Sequence, residues 1–487
     1  MRMQDLAAAV PGSALKGDGR IRIGGLSIHS SRTAPGDLFV ALPGTRADGA
    51  DYLHEAVEHG AAAVAAREFA VGLPPAVCQL RTPDTVRALP LLAEEFFGHP
   101  SRRLRLAGIT GTNGKTTVAF LLRYLLERGG VPAGLLGTVR YQIGERNLPS
   151  ELTTPAPPLL QELLASMVKA ALPAAVMEVS SHALSQHRLD GLVFETAVFT
   201  NLTPEHLDYH RDMEEYGRAK IRLFSEHLSP RGTAVLSRSD PLSGRIRDVF
   251  PGRVLTFGPE EDADFRARDI VLEASSSRFT LAWPGGEERL RIPLVGRFNV
   301  LNALAAAAAA SAFGVSPERA AGILQSAPGV PGRLETVAEK PFRVIVDYAH
   351  SPDALGNVLA ALRETSPGSR VILVFGCGGD RDRSKRPRMG AIAAAGADLS
   401  IVTSDNPRSE NPEAIIAEIA AGFGSAGARA EIEPDRRRAI RTALAAARPG
   451  DTVLVAGKGH EERQIFADRV VPFSDRLEVL GALEERQ

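Results

Sequence analysis

The chain has 487 residues, 44% hydrophobic and 24% charged, an ordinary make-up for a folded protein and enough length for two to four domains. Lys and Arg number 57 and Asp and Glu 58, and a formal net charge of −1 leaves no overall electrostatic footprint for nucleic acid or an anionic membrane. Two cysteines, Cys78 and Cys377, lie far apart and outside metal-ligand spacing, which argues against a disulfide scaffold or zinc module and fits a reducing cytoplasm.

The first twelve residues do not read as a signal peptide, and the most apolar run, residues 303–315, is too short to span a bilayer. That run predicts a buried, closely packed helix, and no membrane insertion is expected. In chain order, residues 37–42 and 61–66 predict strands, and 52–59 and 85–97 helices, forming a small α/β unit. Residues 98–101, GHPS, read as a linker. Residues 104–110 predict a strand that enters a helix over 115–128 through a Gly-rich turn. Further strands are expected at 174–179 and 196–200, with helices over 159–171 and 213–224. From about residue 333 the alternation restarts, with strands at 343–346, 371–375, 399–402 and 452–455. Each ends in a polar cluster, and in sheets of this kind ligands sit beyond the carboxyl ends of strands. The fold class is α/β, with mainly parallel sheets covered by helices.

Residues 110–117 read TGTNGKTT between a strand and a helix. Glycines there let backbone N–H groups turn toward an anion, and the helix N-terminus adds partial positive charge. Ile109 stands where the strict phosphate-loop pattern has its first glycine, so this is a variant with the glycine at Gly111. Lys115 would sit on the terminal phosphates and the Thr116 hydroxyl on Mg²⁺. Glu178 ends a strand able to lie beside the loop and pairs with Thr116 as a hard-oxygen Mg²⁺ donor; a helix-cap carboxylate is the plainer reading.

TGTNGKTT resembles the ATP loop of the Mur ligases, ATP-dependent amide-forming enzymes of cell-wall precursor synthesis. The resemblance continues in order through Thr153-Thr154-Pro155, EVSSHALSQHR (178–188), NLTPEHLDYH (201–210), RFNVLN (297–302), Pro331-Gly332-Arg333, DYAH (347–350) and GKGHE (457–461). It implies three domains: a small N-terminal α/β domain over 1–98 that binds the uridine nucleotide, a central phosphate-loop domain over 101–332 that binds ATP, and a Rossmann-like C-terminal domain over 333–487 that brings in an amino acid. It implies that Gly111, Thr112, Asn113, Gly114, Lys115, Thr116, Thr117, Asn299, Asn302, Arg333 and Asp347 face ATP. For Asp347 a strand-end turn is an equal reading. It implies catalytic roles for Lys115, Glu178, His206 and Lys220, with Thr116, Glu178, His206 and Lys220 as the metal set; Lys220 would carry a carbamate, N6-carboxylysine. His210 competes with His206.

Ser31, Thr45, Arg46, Ala47, Thr153, Thr154, Ser180, Gln186 and Arg188 match positions that hold a UDP-MurNAc-dipeptide. Ser30 replaces the family's usual Asp, and Arg211 a common Gly. Within the family, Asp405-Asn406-Pro407-Arg408 marks members that add meso-diaminopimelate, with Arg381, Gly457 and Glu461 as further contacts. An arginine can grip the distal carboxylate that lysine lacks; an Asx–Pro turn fits the same residues. The expected activity is therefore ATP-dependent addition of meso-diaminopimelate to UDP-MurNAc-L-Ala-D-Glu. Competing readings are a same-family ligase adding L-lysine or another amino acid, and a nucleotide-binding regulatory module without ligation.

Overall fold

The computed structural model describes residues 1–44, 47–424 and 430–485. It is a mixed α/β structure built on three principal sheets in chain order. The first has five strands, ordered Ala14–Lys16, Cys78–Arg81, Ala63–Ala66, Leu38–Val40 and Leu26–Ser27, with only the first antiparallel to its neighbour. Residues 98–101 are more than a tether: His99 takes a left-handed backbone (φ 54°), and Pro100 and Ser101 are buried at the start of a 3-10 turn.

The second sheet has eleven strands. At its centre Arg105–Thr110 lies between Ala174–Glu178 and Phe194–Phe199, all parallel. These strands are apolar almost throughout and buried on both faces, as strands covered by helices on each side must be. The helix Lys115–Arg128 buries Val118, Leu121, Leu122, Leu125 and Leu126, the spacing of a core-facing stripe. It packs on Arg297–Ala312, in which Ala303 and Ala305 through Ala310 are all buried. Methyl side chains let the two helices approach closely without voids. Antiparallel strands form both edges: Arg140–Ile143 and Arg146–Pro149 on one side, Ser277–Trp283 and Gly286–Ile292 on the other. The parallel expectation therefore holds for the centre and not for the edges. The expected helix over 213–224 is α-helical over Met213–Arg222 and then loosens into a π-turn, Leu223–His227.

The third sheet has six strands, ordered Glu335–Ala338, Arg343–Asp347, Thr452–Ala456, Val371–Phe375, Leu399–Val402 and Ala430–Ile432. All but the first run parallel, so the ends at residues 347, 375, 402 and 456 open toward one side. Two of these ends are tied by a wholly buried ion pair. Arg436 donates to Asp475 through two bonds of 2.7 Å, and also to Ala456 O (2.9 Å) and Ser404 O (3.4 Å). Removing one partner of such a pair leaves a buried charge unmatched. Asp475→Ala should therefore lower the stability of this sheet by about 3–5 kcal/mol, read as early hydrogen exchange in residues 399–402 and 452–456. Unchanged exchange there would show that Arg436 finds another partner.

Candidate active site

The strand Arg105–Thr110 delivers the loop and the helix Lys115–Arg128 receives it. Gly111 has φ +146°, and a Cβ there would collide with Thr200 Oγ1; Gly114 has φ +87°. Both positions need glycine, for space at the first and for conformation at both. Thr112 N donates to Asn201 O (2.8 Å) and Asn113 N to Asn201 Oδ1 (2.9 Å), so the NLTPEH segment braces the loop from behind. Lys115 Nζ folds back on Gly111 O (2.9 Å) and Thr112 O (2.7 Å). Desolvation pushes its pKa down, against the pull of Glu205 and Glu178.

A cavity of about 160 Å³ opens in front of the loop, and Lys115, Thr116, Glu178, His206 and Lys220 all line it. Glu178 is wholly buried. Its carboxylate accepts from Thr138 N (2.8 Å), Thr138 Oγ1 (3.0 Å) and Thr116 Oγ1 (2.9 Å). A helix-cap role does not describe this environment. Lys220 Nζ donates to Gly111 O (2.9 Å) and lies 4.1 Å from the Tyr216 ring centroid. Burial first, and then the charge of Lys115, holds its pKa well below the usual lysine range. His206 has a left-handed backbone (φ 59°) and a pKa pushed down to about 3, chiefly by burial, so its imidazole is neutral at pH 7. His210 instead bonds Ser181 Oγ (3.0 Å) inside the core. Among the cavity residues, then, His206 is the histidine of the competing pair.

A second cavity, about 350 Å³, continues from the loop. Phe257 and Phe298 give it apolar walls suited to a flat ring, and Asn113, Thr117, Asn299, Asn302, Arg333 and Asp347 also line it. The Asp347 carboxylate accepts from Leu334 N (2.6 Å) and Ala349 N (2.7 Å), so it caps the strand-end turn while lining the cavity. Arg333 Nη2 donates to Thr116 Oγ1 (3.1 Å), with its guanidinium 4.4 Å from the Tyr348 ring centroid.

Beside the first cavity, Thr153 Oγ1 bonds Thr138 Oγ1 (3.0 Å), and Thr154 Oγ1 donates to Glu178 O (2.8 Å). Ser180 caps the following short helix, and Arg188 donates to Thr154 O (2.9 Å) and to Gln186 Oε1. In the first sheet's unit Ser31 and Ala47 are exposed, while Thr45 and Arg46 fall outside the described residues. Ser30, where an acid was expected, donates its hydroxyl to Glu55 (3.0 Å).

At the third sheet, Asp405, Asn406 and Pro407 are buried, and Arg408 takes a left-handed backbone, φ 54°. A non-glycine residue held there is strained, a feature that concentrates at functional sites. Arg408 Nη1 donates to Gly379 O (2.6 Å), and burial together with the nearby Arg381 pushes its pKa down. Asp405, Glu461 and Asp380 act on it in the opposite sense, so the cluster holds charges of both signs. Gly457 has φ +116°, and a Cβ there would stand 2.5 Å from Asp405 Oδ2. Glu461 accepts from Asn406 Nδ2 (2.8 Å).

Three contributors escape motif reading. Thr138 holds Glu178 but sits outside any motif. Glu205 lies inside NLTPEHLDYH without being singled out; although burial pushes its pKa up, His350, His206 and Lys115 hold it well below the carboxylate range. Asp353 accepts from Asn113 Nδ2 (2.7 Å) and Thr203 Oγ1 (3.3 Å), joining the third sheet's first helix to the loop. Among the described residues no three His, Cys, Asp or Glu side chains gather as a metal cage. Mg²⁺ does not need one, since it keeps waters and substrate phosphates and takes one or two protein oxygens. Thr116 and Glu178 fit that demand. Imidazole suits softer metals than Mg²⁺, and Lys220 as an ammonium has no lone pair, so it would join only as a carbamate.

Comparison with known proteins identifies matches along most of the chain. Family models described as Mur ligase family, catalytic domain, Mur ligase middle domain, and Mur ligase, glutamate ligase domain match residues 22–89, 109–310 and 332–459. A protein of Gloeobacter violaceus named UDP-N-acetylmuramoyl-L-alanyl-D-glutamate--2,6-diaminopimelate ligase is 47% identical over 469 residues, 96% of this chain and 95% of its own. A protein of the same name from Geobacillus kaustophilus is 43% identical over the full length of both. A solved structure with that name shares 31% identity and a TM-score of 0.69, covering 100% of this chain and 99% of its own. No helix among the described residues is long and apolar enough to cross a membrane.

The bonds on Glu178 generate a test. A hydrogen bond to a charged group is worth about 1.5–3 kcal/mol. Thr138→Val keeps the backbone N–H and loses the hydroxyl. Its affinity for a nucleoside triphosphate by calorimetry should fall roughly tenfold or more with Mg²⁺ and change little without it. Equal losses in both conditions would mean that Thr138 supports the loop rather than the carboxylate.

Proposed function

The chain belongs to the Mur ligase family, and on that premise we propose that it adds meso-diaminopimelate to UDP-MurNAc-L-Ala-D-Glu, with ATP converted to ADP and phosphate. The observation that carries this reading is a pair of charged clusters at the ends of strands in the second and third sheets. The phosphate loop, Glu178 and Lys220 make up one, and Arg408 with Arg381, Asp405 and Glu461 the other. Residues 1–98 would hold the uridine end, 101–332 the ATP, and 333–487 the amino acid.

A carboxylate is a poor electrophile. Its oxygen attacks the γ-phosphorus, ADP leaves, and an acyl phosphate forms. The free amine of the diamino acid then attacks the acyl carbon, phosphate leaves, and the nitrogen gives up a proton. The protein's work is to position the reactants and offset their negative charge. Lys115 already lies against the loop carbonyls and would turn to the terminal phosphates. Arg333 reaches the same place from beyond the junction. Thr153, Thr154, Ser180, Gln186 and Arg188 would hold the muramoyl peptide, and Ser31, Thr45, Arg46 and Ala47 its nucleotide end. Asn299, Asn302 and Asp347 border the cavity suited to the adenosine.

Mg²⁺ would supply charge neutralisation between phosphate and carboxylate. Thr116 and Glu178 would hold it, with His206 as a neutral neighbour. Lys220 has the environment a carbamate requires: a desolvated amine with a depressed pKa, able to add CO₂ as the neutral base. The change replaces a cation with an anion facing the same cavity.

Specificity rests on Arg408. A diaminopimelate molecule carries a second ammonium and carboxylate on one carbon. The guanidinium pairs with that carboxylate, and the acids at 405 and 461 suit the ammonium. Lysine would leave the arginine without a partner.

Phosphate release should require both the UDP-linked dipeptide and the amino acid, with meso-diaminopimelate strongly preferred over lysine; preference for lysine would overturn the reading. Arg408→Ala should raise KM for meso-diaminopimelate roughly 10- to 100-fold, the scale of a lost charged hydrogen bond, with KM for ATP unchanged. Lys220→Ala should lose turnover and regain part of it with added acetate or formate. Full activity without additive would remove the carbamate.

A further inference from the structure

Neither ATP binding nor the grip on the distal carboxylate uses Lys458, although it lies inside the GKGHE cluster. Its side chain is 0% exposed. An ammonium is costly to bury unless acceptors surround it. Lys458 Nζ donates to Asn406 Oδ1 and to Glu461 Oε2, each at 3.0 Å, and stands 4.0 Å from Asp405 Oδ1. Asn406 Nδ2 donates to the same Glu461 oxygen (2.8 Å), and Ile465 N donates to Asn406 Oδ1 (3.1 Å). Both bonds to Glu461 land on Oε2, which leaves Oε1 for a substrate ammonium.

A plain strut between two strand ends would explain a buried lysine, but the strut is already present. Arg436 donates to the backbone of Ser404 and Ala456, and Gln464 to Asp405 O (2.8 Å). Those bonds hold main chain. Lys458 holds side chains, and two of them, Asp405 and Glu461, are the acids assigned above to the ammonium of the incoming amino acid.

We propose that Lys458 is a positioning residue of the amino-acid pocket. Its ammonium clips the loop at 404–408 to the loop at 457–461. It fixes Asp405 and Glu461, through Asn406 as the link between the two loops, as one rigid pair of acceptors for the ammonium of the distal head, while Arg408 takes the carboxylate. Lys458 does not touch the substrate; it keeps the acids that do from turning away or from repelling one another. This role rests on the assignment of the pocket to meso-diaminopimelate.

Steady-state kinetics test it. Lys458→Met is similar in shape and has no donor. Its KM for meso-diaminopimelate should rise roughly tenfold or more, while KM for ATP and for the UDP-linked dipeptide stays within about twofold. Lys458→Gln, which keeps a donor, should recover part of the loss. Combined with Glu461→Gln, Lys458→Met should add little to the KM of the worse single variant, because both act through one carboxylate. An unchanged KM for meso-diaminopimelate, an equal rise in all three KM values, or additive penalties would each overturn the role. Should Lys458→Met lack a cooperative thermal transition, Lys458→Gln carries the same comparison, and the same three outcomes overturn the role. Wild-type enzyme assayed alongside separates the two ideas. If it fails to use meso-diaminopimelate, the proposed function falls. If it uses it while the variants keep their KM, only the role of Lys458 falls.

Discussion

Two lysine amines share one carbonyl oxygen, and much else in the protein follows from that. Lys115 and Lys220 both reach Gly111 O at 2.9 Å, in surroundings dry enough to depress both pKa values. Like charges so close are unfavourable in the absence of an anion. The fold tolerates them because Glu178 and Glu205 lie close by, and because the carbonyl itself accepts from both. The same crowding explains why the loop is so tightly built. Gly111 has no room for a side chain against Thr200, and Asn201 ties two successive backbone amides.

The reaction centre belongs to no single sheet. Glu178 and the phosphate loop come from the second, and Arg333 from its junction with the third. Asp353 and His350 reach across from the third to Asn113, Thr203 and Glu205. Each of these bonds joins a residue at or beside the phosphate loop to one carried by the third sheet. Assembly of this site therefore depends on contacts between the second and third sheets.

Much of this was legible in the residues. The helix over 115–128 has its bounds written in the glycines on either side, Gly114 and Gly129. Four of the third sheet's six strands announced themselves as short, mostly apolar runs, because burial on both faces removes alternation. The antiparallel edges were not legible: edge strands such as Arg146–Pro149 are short and largely exposed, so no apolar pattern marks them. The π-turn at Leu223–His227 was hidden because the apolar spacing of an α-helix survives one extra residue. Thr138 and Asp353 carry weight only through partners 40 and 240 residues away, and local spacing holds no trace of them. The competition between His206 and His210 likewise turned on direction: one ring faces the cavity, the other Ser181.

The alanine-lined helix has a consequence of its own. From Ala303 through Ala310 its core-facing side chains are nearly all single methyl groups, laid against the helix that begins at Lys115. On the alanine side that contact has no flexible side chain to absorb a change in size. Any enlargement there must move a whole helix, and that helix carries Lys115 and Thr116 in its first turn. The seam thus works as a gauge block for the nucleotide cradle. The spacing of the cradle from the rest of the second sheet is set by that line of methyls.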